Sequence, residues 1–428
     1  MKRLQWDDLL IFGAFIVLLL EGLFHPYLEM VIVSQSSLWT RITPYLLYPS
    51  ELIGYGGFFA IGFPYFLSRL GRFKSGLGTI ALVLFWIVGL FSAINGIYRG
   101  NPTWFTDFRQ LFLMSVFATI TASWGITGNI VAVKKLFLNI AIVAAIFNGI
   151  KGLLVLGGQI DRESVFAPHY TGEIILVFAY VLALSTYFLT EDRRVWPFWA
   201  LTFGILTPLN KPALGFFFFA NITTLTILSF LSDKIKRLFK FAFLTTISLV
   251  LGCLLLDFVS EGAAIELLSR RFLKTNVETD RDLSSGRLDF WRWAVDRWIE
   301  SPFFGTGLGE NPTQVTSGGD DHTVPIHNMP LTVLYQTGIF GFIGCVIGAA
   351  LWLTPIKWIL KSKSILPHHK AILVASVAYA CALVILSFYG HNLGVPGIGM
   401  VFWATLGLSS ALCRRAIVVK YSGLSSKI

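Results

Sequence analysis

The chain has 428 residues, of which 55% are hydrophobic and only 14% charged, and its mean hydropathy is +0.69. A soluble globular chain carries about 25% charged residues, so this one cannot be solvated by water alone, and an ordinary soluble enzyme is excluded. The formal net charge of +10 invites a nucleic-acid reading, but basic residues flanking apolar segments set membrane topology instead.

In chain order, Met1, Lys2 and Arg3 precede the apolar run from Leu9 to Leu20, in the manner of a signal peptide. No small-residue cleavage pattern follows, because the next residues run from Glu21 to Pro26. The segment is therefore expected to remain as a first span. Further apolar runs lie at about 50 to 68, 77 to 98, 110 to 126, 136 to 157, 172 to 190, 195 to 209, 213 to 231, 241 to 257, 329 to 355, 369 to 388 and 396 to 413. At about 20 residues per crossing these make about twelve transmembrane helices in one all-α integral membrane domain, residues 1–428. Cys253, Cys345, Cys381 and Cys413 all lie in or beside these runs, so no disulfide framework or thiolate metal site follows.

The basic residues orient the bundle. With a cytoplasmic N-terminus, 21 of the 34 lysines and arginines fall on inner segments, at Lys2, Arg3, Arg69, Arg72, Lys74, Lys134, Lys135, Arg193, Arg194, Lys234, Lys236, Arg237, Lys240, Lys357, Lys361, Lys363, Lys370, Arg414, Arg415, Lys420 and Lys427. The short outer loops hold Arg41, Arg99, Arg109, Arg162 and Lys211 alone, and Lys151 lies within a span. Both termini are thus expected in the cytoplasm, with one long loop, 259–327, on the outer side.

That loop is too long to be a simple connection. Within it, SGRLDFWRWAVDRWIE at 285–300 places Arg287, Trp291, Ala294 and Trp298 on one helical face, and Pro302 stops the helix. Gly305, Gly307 and Gly309 mark a turn-rich stretch, and Pro325 precedes the return to the membrane at Asn328. Arg287 sits in the first turn, where the helix dipole disfavours a cation unless an anion such as phosphate joins it. A solvated arginine paired with Asp280, Asp282 or Asp289 fits the spacing equally well. His327 stands where the loop enters the next helix, beside Asn328, and an imidazole there is suited to accept a hydroxyl proton. The plainer alternative is a histidine that packs or caps at the membrane interface.

Other polar groups carry weaker signals. Asp320, Asp321 and His322 with His327 make a loose oxygen and nitrogen set of no recognised metal spacing. His391 and Asn392 repeat the His-Asn pair without the glycines behind it, and His169 and Arg162 share an outer loop. Trp291, Trp293 and Trp298 suit either sugar stacking or interfacial anchoring, with anchoring the default.

The ordered set Ser285-Gly286-Arg287, Trp291, Pro302, Gly305, Gly307, Gly309, His327-Asn328, Gly338 and Gly341 resembles the O-antigen ligase and polysaccharide polymerase superfamily. The resemblance covers the long loop and its following helix closely, and the span layout agrees over the rest. It implies a GT-C-like membrane glycosyltransferase of the bacterial inner membrane. The enzyme would act without cofactor or metal and move glycan from undecaprenyl diphosphate to a hydroxyl acceptor in the periplasm. His327 would be the catalytic histidine and Arg287 a diphosphate-binding arginine, with Asn328 beside the substrate. The family's second outer arginine, in a Ser-Arg pair, is replaced here within Leu206-Thr207-Pro208-Leu209-Asn210-Lys211-Pro212. Lys211 keeps the charge but not the bidentate fork. Alone, Lys211 also reads as a snorkelling interfacial lysine. The resemblance favours a ligase with a lipid A-core acceptor, with a polymerase using a lipid-linked glycan acceptor as the alternative. A polysaccharide transporter or flippase, which makes no bond, is the reading from another class.

Overall fold

The computed structural model describes residues 5–6, 8–16, 19, 23, 77–125, 128–159, 171–190, 192, 194–208, 210–231, 287–315, 321–323, 326–362, 365–388 and 396–425. Its helices are α1 (Leu77–Arg99), α2 (Trp104–Trp124), α3 (Ile130–Leu156), α4 (Thr171–Leu189), α5 (Trp196–Leu206) and α6 (Lys211–Leu231), then α7 (Arg287–Glu300), α8 (Met329–Lys361), α9 (Pro367–Ser387) and α10 (Pro396–Ser425). Among the described residues six of these, α1, α3, α4, α6, α8 and α9, are long and apolar enough to cross a membrane. The chain is a multi-pass helical membrane protein. The expected spans near 50 to 68 and 241 to 257, and much of the one near 8 to 24, lie outside the described residues.

One expected span is shorter than its apolar run. Of residues 195 to 209 only Trp196–Leu206 is helical, 11 residues. At 1.5 Å per residue that reaches roughly half of a 30 Å hydrocarbon core. Pro208 follows directly, and the chain then opens α6 at Lys211, because proline disfavours helix in the residue before it.

Burial divides the bundle. The apolar stretches of α4 and α9 are 89% and 78% buried, whereas those of α1, α6 and α8 are 33%, 28% and 28% buried. A helix apolar all round belongs in the middle. The outward faces of α1 and α8 instead expose Val83, Ile87, Ile94, Phe340, Ile343 and Val346, the surface a lipid environment covers. Close helix approach relies on small residues. A Cβ on Gly407 of α10 would press on Ala118 and Thr121 of α2, and Thr121 donates to the Ala404 carbonyl at 2.9 Å. Likewise α5 meets α3 at Gly204, whose carbonyl accepts from the Asn148 side chain at 2.8 Å.

The helix expected over 285–300 is α7, ending before Pro302. Beyond α7 the chain forms an antiparallel ribbon, β1 (Thr313–Val315) with β2 (Asp321–Thr323), in which Gln314 pairs His322.

Candidate functional site

The site lies where α7, the loop after it and the start of α8 meet. Ala294 of α7, Ile326 and Tyr335 are each fully buried, and Phe290, Trp293, Trp298 and Leu331 pack around them. The predicted face of α7 is therefore the one turned to α8. Its tryptophans anchor the loop to itself. Trp291 Nε1 donates to the Ile326 carbonyl at 3.2 Å, Trp298 Nε1 to the Pro302 carbonyl at 3.1 Å, and Trp293 meets the Tyr335 ring edge-on at 5.4 Å.

These contacts hold the residue on either side of His327. Asn328 caps α8 by accepting from the Leu331 N–H at 3.0 Å, one of the donors a helix start leaves unmet. Between the two anchors His327 adopts φ +52, the one described non-glycine residue with a positive φ. Such a conformation costs on the order of 1–3 kcal/mol and persists only where the surroundings impose it. The ring is half-buried, and its pKa is lowered from the ordinary value first by burial and then by the Arg287 guanidinium. The structure thus brings Arg287, the first residue of α7, within electrostatic reach of His327. Arg297 on the same helix is tied down elsewhere, to Glu300 at 2.8 Å and to Glu310 at 3.1 Å.

The glycines explain how the loop reaches α8. At Gly338 the helix leaves helical geometry, with φ +66 and ψ −175, and the loop strand 302–307 pairs with the exposed backbone. Thr306 N–H donates to Tyr335 O at 2.8 Å, Gly307 N–H to Gln336 O at 2.9 Å, and Ile339 N–H to Pro302 O at 2.8 Å. A Cβ on Gly305 would overlap Gln336 and Gly338, and one on Gly338 would overlap Phe303. Each glycine makes room for the other's backbone.

The loop's far side is gripped by α1 and α2. Gly307 lies against the backbone of Gly96 and Gly309 against that of Trp104, with no room for a side chain. Asn95 Nδ2 donates to Gly305 O at 2.9 Å. Asn101 Nδ2 reaches Thr306 O at 2.9 Å and Leu308 O at 2.8 Å, and Ser92 Oγ reaches Gln336 O at 3.0 Å. Thr103 Oγ1 donates to Gly309 O at 2.9 Å, while Gly309 N–H donates to the Asp107 carboxylate at 3.1 Å.

The O-antigen ligase family profile matches residues 174–346. That stretch of the chain is similar to the O-antigen ligase family. The match covers less than half of the chain, running from α4 into α8 and including Lys211, Arg287, His327 and both sets of glycines. It supports the resemblance drawn from the loop motif, to a family whose members are glycosyltransferase-like enzymes. No curated protein matches the chain.

The match stops short of α1 and α2, so the residues that grip the glycine loop, Ser92, Asn95, Asn101, Thr103 and Asp107, come from outside it. Sequence reasoning did not single them out. The available signal was a polar island, 95–107, between two apolar runs, with an acid at the start of a membrane-seeking helix. Lys211 opens α6, and its side chain is outside the described residues. Arg162, His169, Asp320, His391 and Asn392 also lie outside them, as do the side chains of Asp321 and His322, so the loose metal set is not described as a site.

Proposed function

We propose that the protein is a glycosyltransferase of the bacterial inner membrane, moving glycan from undecaprenyl diphosphate to an acceptor hydroxyl at the periplasmic face. The observation that carries this reading is a strained, half-buried His327 beside Arg287 within the O-antigen ligase match. In this reading all 428 residues form one membrane domain of about twelve spans, both termini are cytoplasmic, and 259–327 is a periplasmic loop.

The chemistry is a single displacement. The imidazole of His327 takes the proton of the attacking hydroxyl, the acceptor oxygen forms a bond to the anomeric carbon from the opposite face, and the bond from that carbon to the diphosphate oxygen breaks. The outcome is inversion. Undecaprenyl diphosphate leaves with its charge met by Arg287 and Lys211. Each charge-assisted hydrogen bond contributes about 1.5–3 kcal/mol, and placed where charge develops, two can replace much of the electrostatic work of a metal ion. The depressed basicity of His327 keeps it neutral, and so able to accept a proton, at the pH of the reaction. Asn328 would border the acceptor. The donor's polyprenyl tail would lie among the apolar helices.

The acceptor we assign is lipid A-core, making the protein an O-antigen ligase in lipopolysaccharide assembly. A polymerase would use the same donor chemistry on a second lipid-linked glycan. The test is transfer from donor to acceptor in liposomes, paired with the glycan phenotype of a deletion strain. A ligase leaves lipid A-core bare of polymer, whereas loss of chain length alone assigns a polymerase. Absence of any transfer, with substrate still moved across the bilayer, would replace both with a transporter. For topology, a single cysteine at Gly318 should react with an impermeant reagent in intact spheroplasts, and labelling at Ser364 instead would invert the arrangement.

A further inference from the structure

Asp107 stands in the first turn of α2, ahead of the apolar run that begins near residue 110, and its carboxylate faces donors. Gly309 N–H donates to its Oδ2 at 3.1 Å, and the side-chain amides of Gln336 on α8 and Asn311 in the loop stand close enough to favour its charged form. A site built from donors calls for a group that only accepts, which is an ionised carboxylate. The three donors come from the two segments that must be held together, the glycine loop and the break in α8. We propose that Asp107 is a positioning residue for the transfer reaction, its carboxylate latching the glycine loop to α8 and so setting where His327 stands. The proposal rests on reading His327 as the general base.

The mechanical link is short. Gln336 lies beside Tyr335, which is fully buried, shares a cluster with Ile326, and donates from its hydroxyl to the Glu310 carbonyl at 2.7 Å. Ile326 immediately precedes His327. A slack loop at Gly309 would therefore loosen Tyr335 and Ile326 together, and a displacement near 1 Å at a reacting group costs about a hundredfold in rate.

The latch also responds to pH. Burial raises the Asp107 carboxyl to about 6 in spite of its three donors. Of the titratable and charged groups on the elements packed here, Tyr335 of α8 feels both Asp107 and Glu310 of the loop, and Arg109 lies two residues on along α2. Arg297 of α7 is held by Glu300 and Glu310, and Arg99 of α1 reaches Ser301 at 2.9 Å. On α10, which packs along α2, Arg414 and Arg415 lie at the opposite end, where Arg415 donates to Gly128 O at 3.0 Å. Protonation turns one acceptor oxygen into a donor that faces other donors, so the loop amides should open as pH falls through about 6.

The experiment is amide hydrogen exchange of residues 305–311 and 326–340, corrected for intrinsic rates and taken between about pH 5 and pH 8, on full-length protein in nanodiscs, alongside transfer kinetics. In the parent and in His327→Ala, protection of the Gly309 amide should fall with pH, which separates the latch from titration of the histidine. In Asp107→Asn that fall should vanish. Its kcat should drop about tenfold or more with KM for donor within about twofold, since positioning acts on turnover rather than on binding. Should Asp107→Asn not fold, Gln336→Met removes one donor and should move the exchange midpoint to higher pH. A flat parent profile, an unmoved midpoint in Gln336→Met, or an Asp107→Asn protein with parental kcat would each overturn the latch. Full activity in His327→Ala would instead remove the reading beneath it while leaving the exchange result intact.

Discussion

Asp107 and Lys134 stand at two ends of the bundle that are built on opposite plans. At the His327 end Asp107 sits among backbone and amide donors that lie more than 200 residues further along the chain. At the other end Lys134 of α3, only 5% exposed, reaches Thr186 Oγ1 of α4 at 3.2 Å and His368 Nδ1 of α9 at 3.1 Å. Nearby, Asp192 and Arg194 close an exposed ion pair at 2.6 Å. Side chains that meet side chains tolerate repacking. Backbone that meets backbone does not, because a carbonyl and an N–H cannot change rotamer to escape an intruding atom. The first end is thereby fixed in shape, as a site that must place a reacting group within a fraction of an ångström requires. The second needs only to terminate helices and hold charge.

The largest expected effect that separates the two ends is loss of His327. His327→Ala should lower kcat by about 10² to 10⁴ with donor binding retained, as removal of a general base does. His391→Ala should change it far less. In the parent, kcat/KM should be level above neutral pH and fall only below the ordinary histidine value of about 6.5, because the folded pKa is lowered. A stable, fully active His327→Ala protein would end the assignment. Loss of activity that tracks loss of thermal stability would make the histidine structural.

Next in size are the glycines. Gly307→Ala combines a positive φ with direct overlap on Gly96 and should destabilise by more than about 2 kcal/mol. Gly215→Ala on α6 meets nothing closer than 3.9 Å and should be neutral or stabilising by up to about 1 kcal/mol, the gain in helix propensity. Thermal unfolding in detergent compares them. Equal effects would mean that the loop is not clamped as described.

Smaller again is the anion site. Arg287→Ala and Lys211→Ala should each weaken binding of a diphosphate-linked lipid by roughly 10- to 100-fold, the loss of one charge-assisted contact. Arg287→Lys should restore only part of it, and Lys211→Arg should be tolerated. Parental affinity in both alanine variants would remove the proposed site. The smallest effect belongs to the opposite end. At half-buried Asp192 the pKa is lowered to about 2 chiefly by its hydrogen bond to Arg194, against the opposing effect of burial. The sign follows from the depressed value: the pair's contribution is present above the unfolded carboxylate pKa and is lost as pH falls toward about 2. Because Arg194 is exposed, solvent screening limits that contribution to about 1 kcal/mol or less. Asp192→Asn should therefore barely move the unfolding temperature at neutral pH.

The membrane class and helical architecture were legible in the sequence because burial in lipid requires long apolar runs, and such runs show in any window. The helix over 285–300 was legible because its amphipathic spacing and Pro302 are local signals, and the family resemblance because its glycines, Arg287 and His327 stand in a fixed order. Tertiary structure alone decided that Gly305 and Gly338 make room for each other, that the α7 tryptophans meet Ile326, Pro302 and Tyr335, and that residues 195 to 209 yield a helix of 11 residues. It also decided that Asp107, far away in the chain, accepts from Gly309 of the glycine loop. Those facts depend on which backbones come within van der Waals contact, and contact between segments more than 200 residues apart leaves no periodicity in the sequence to read.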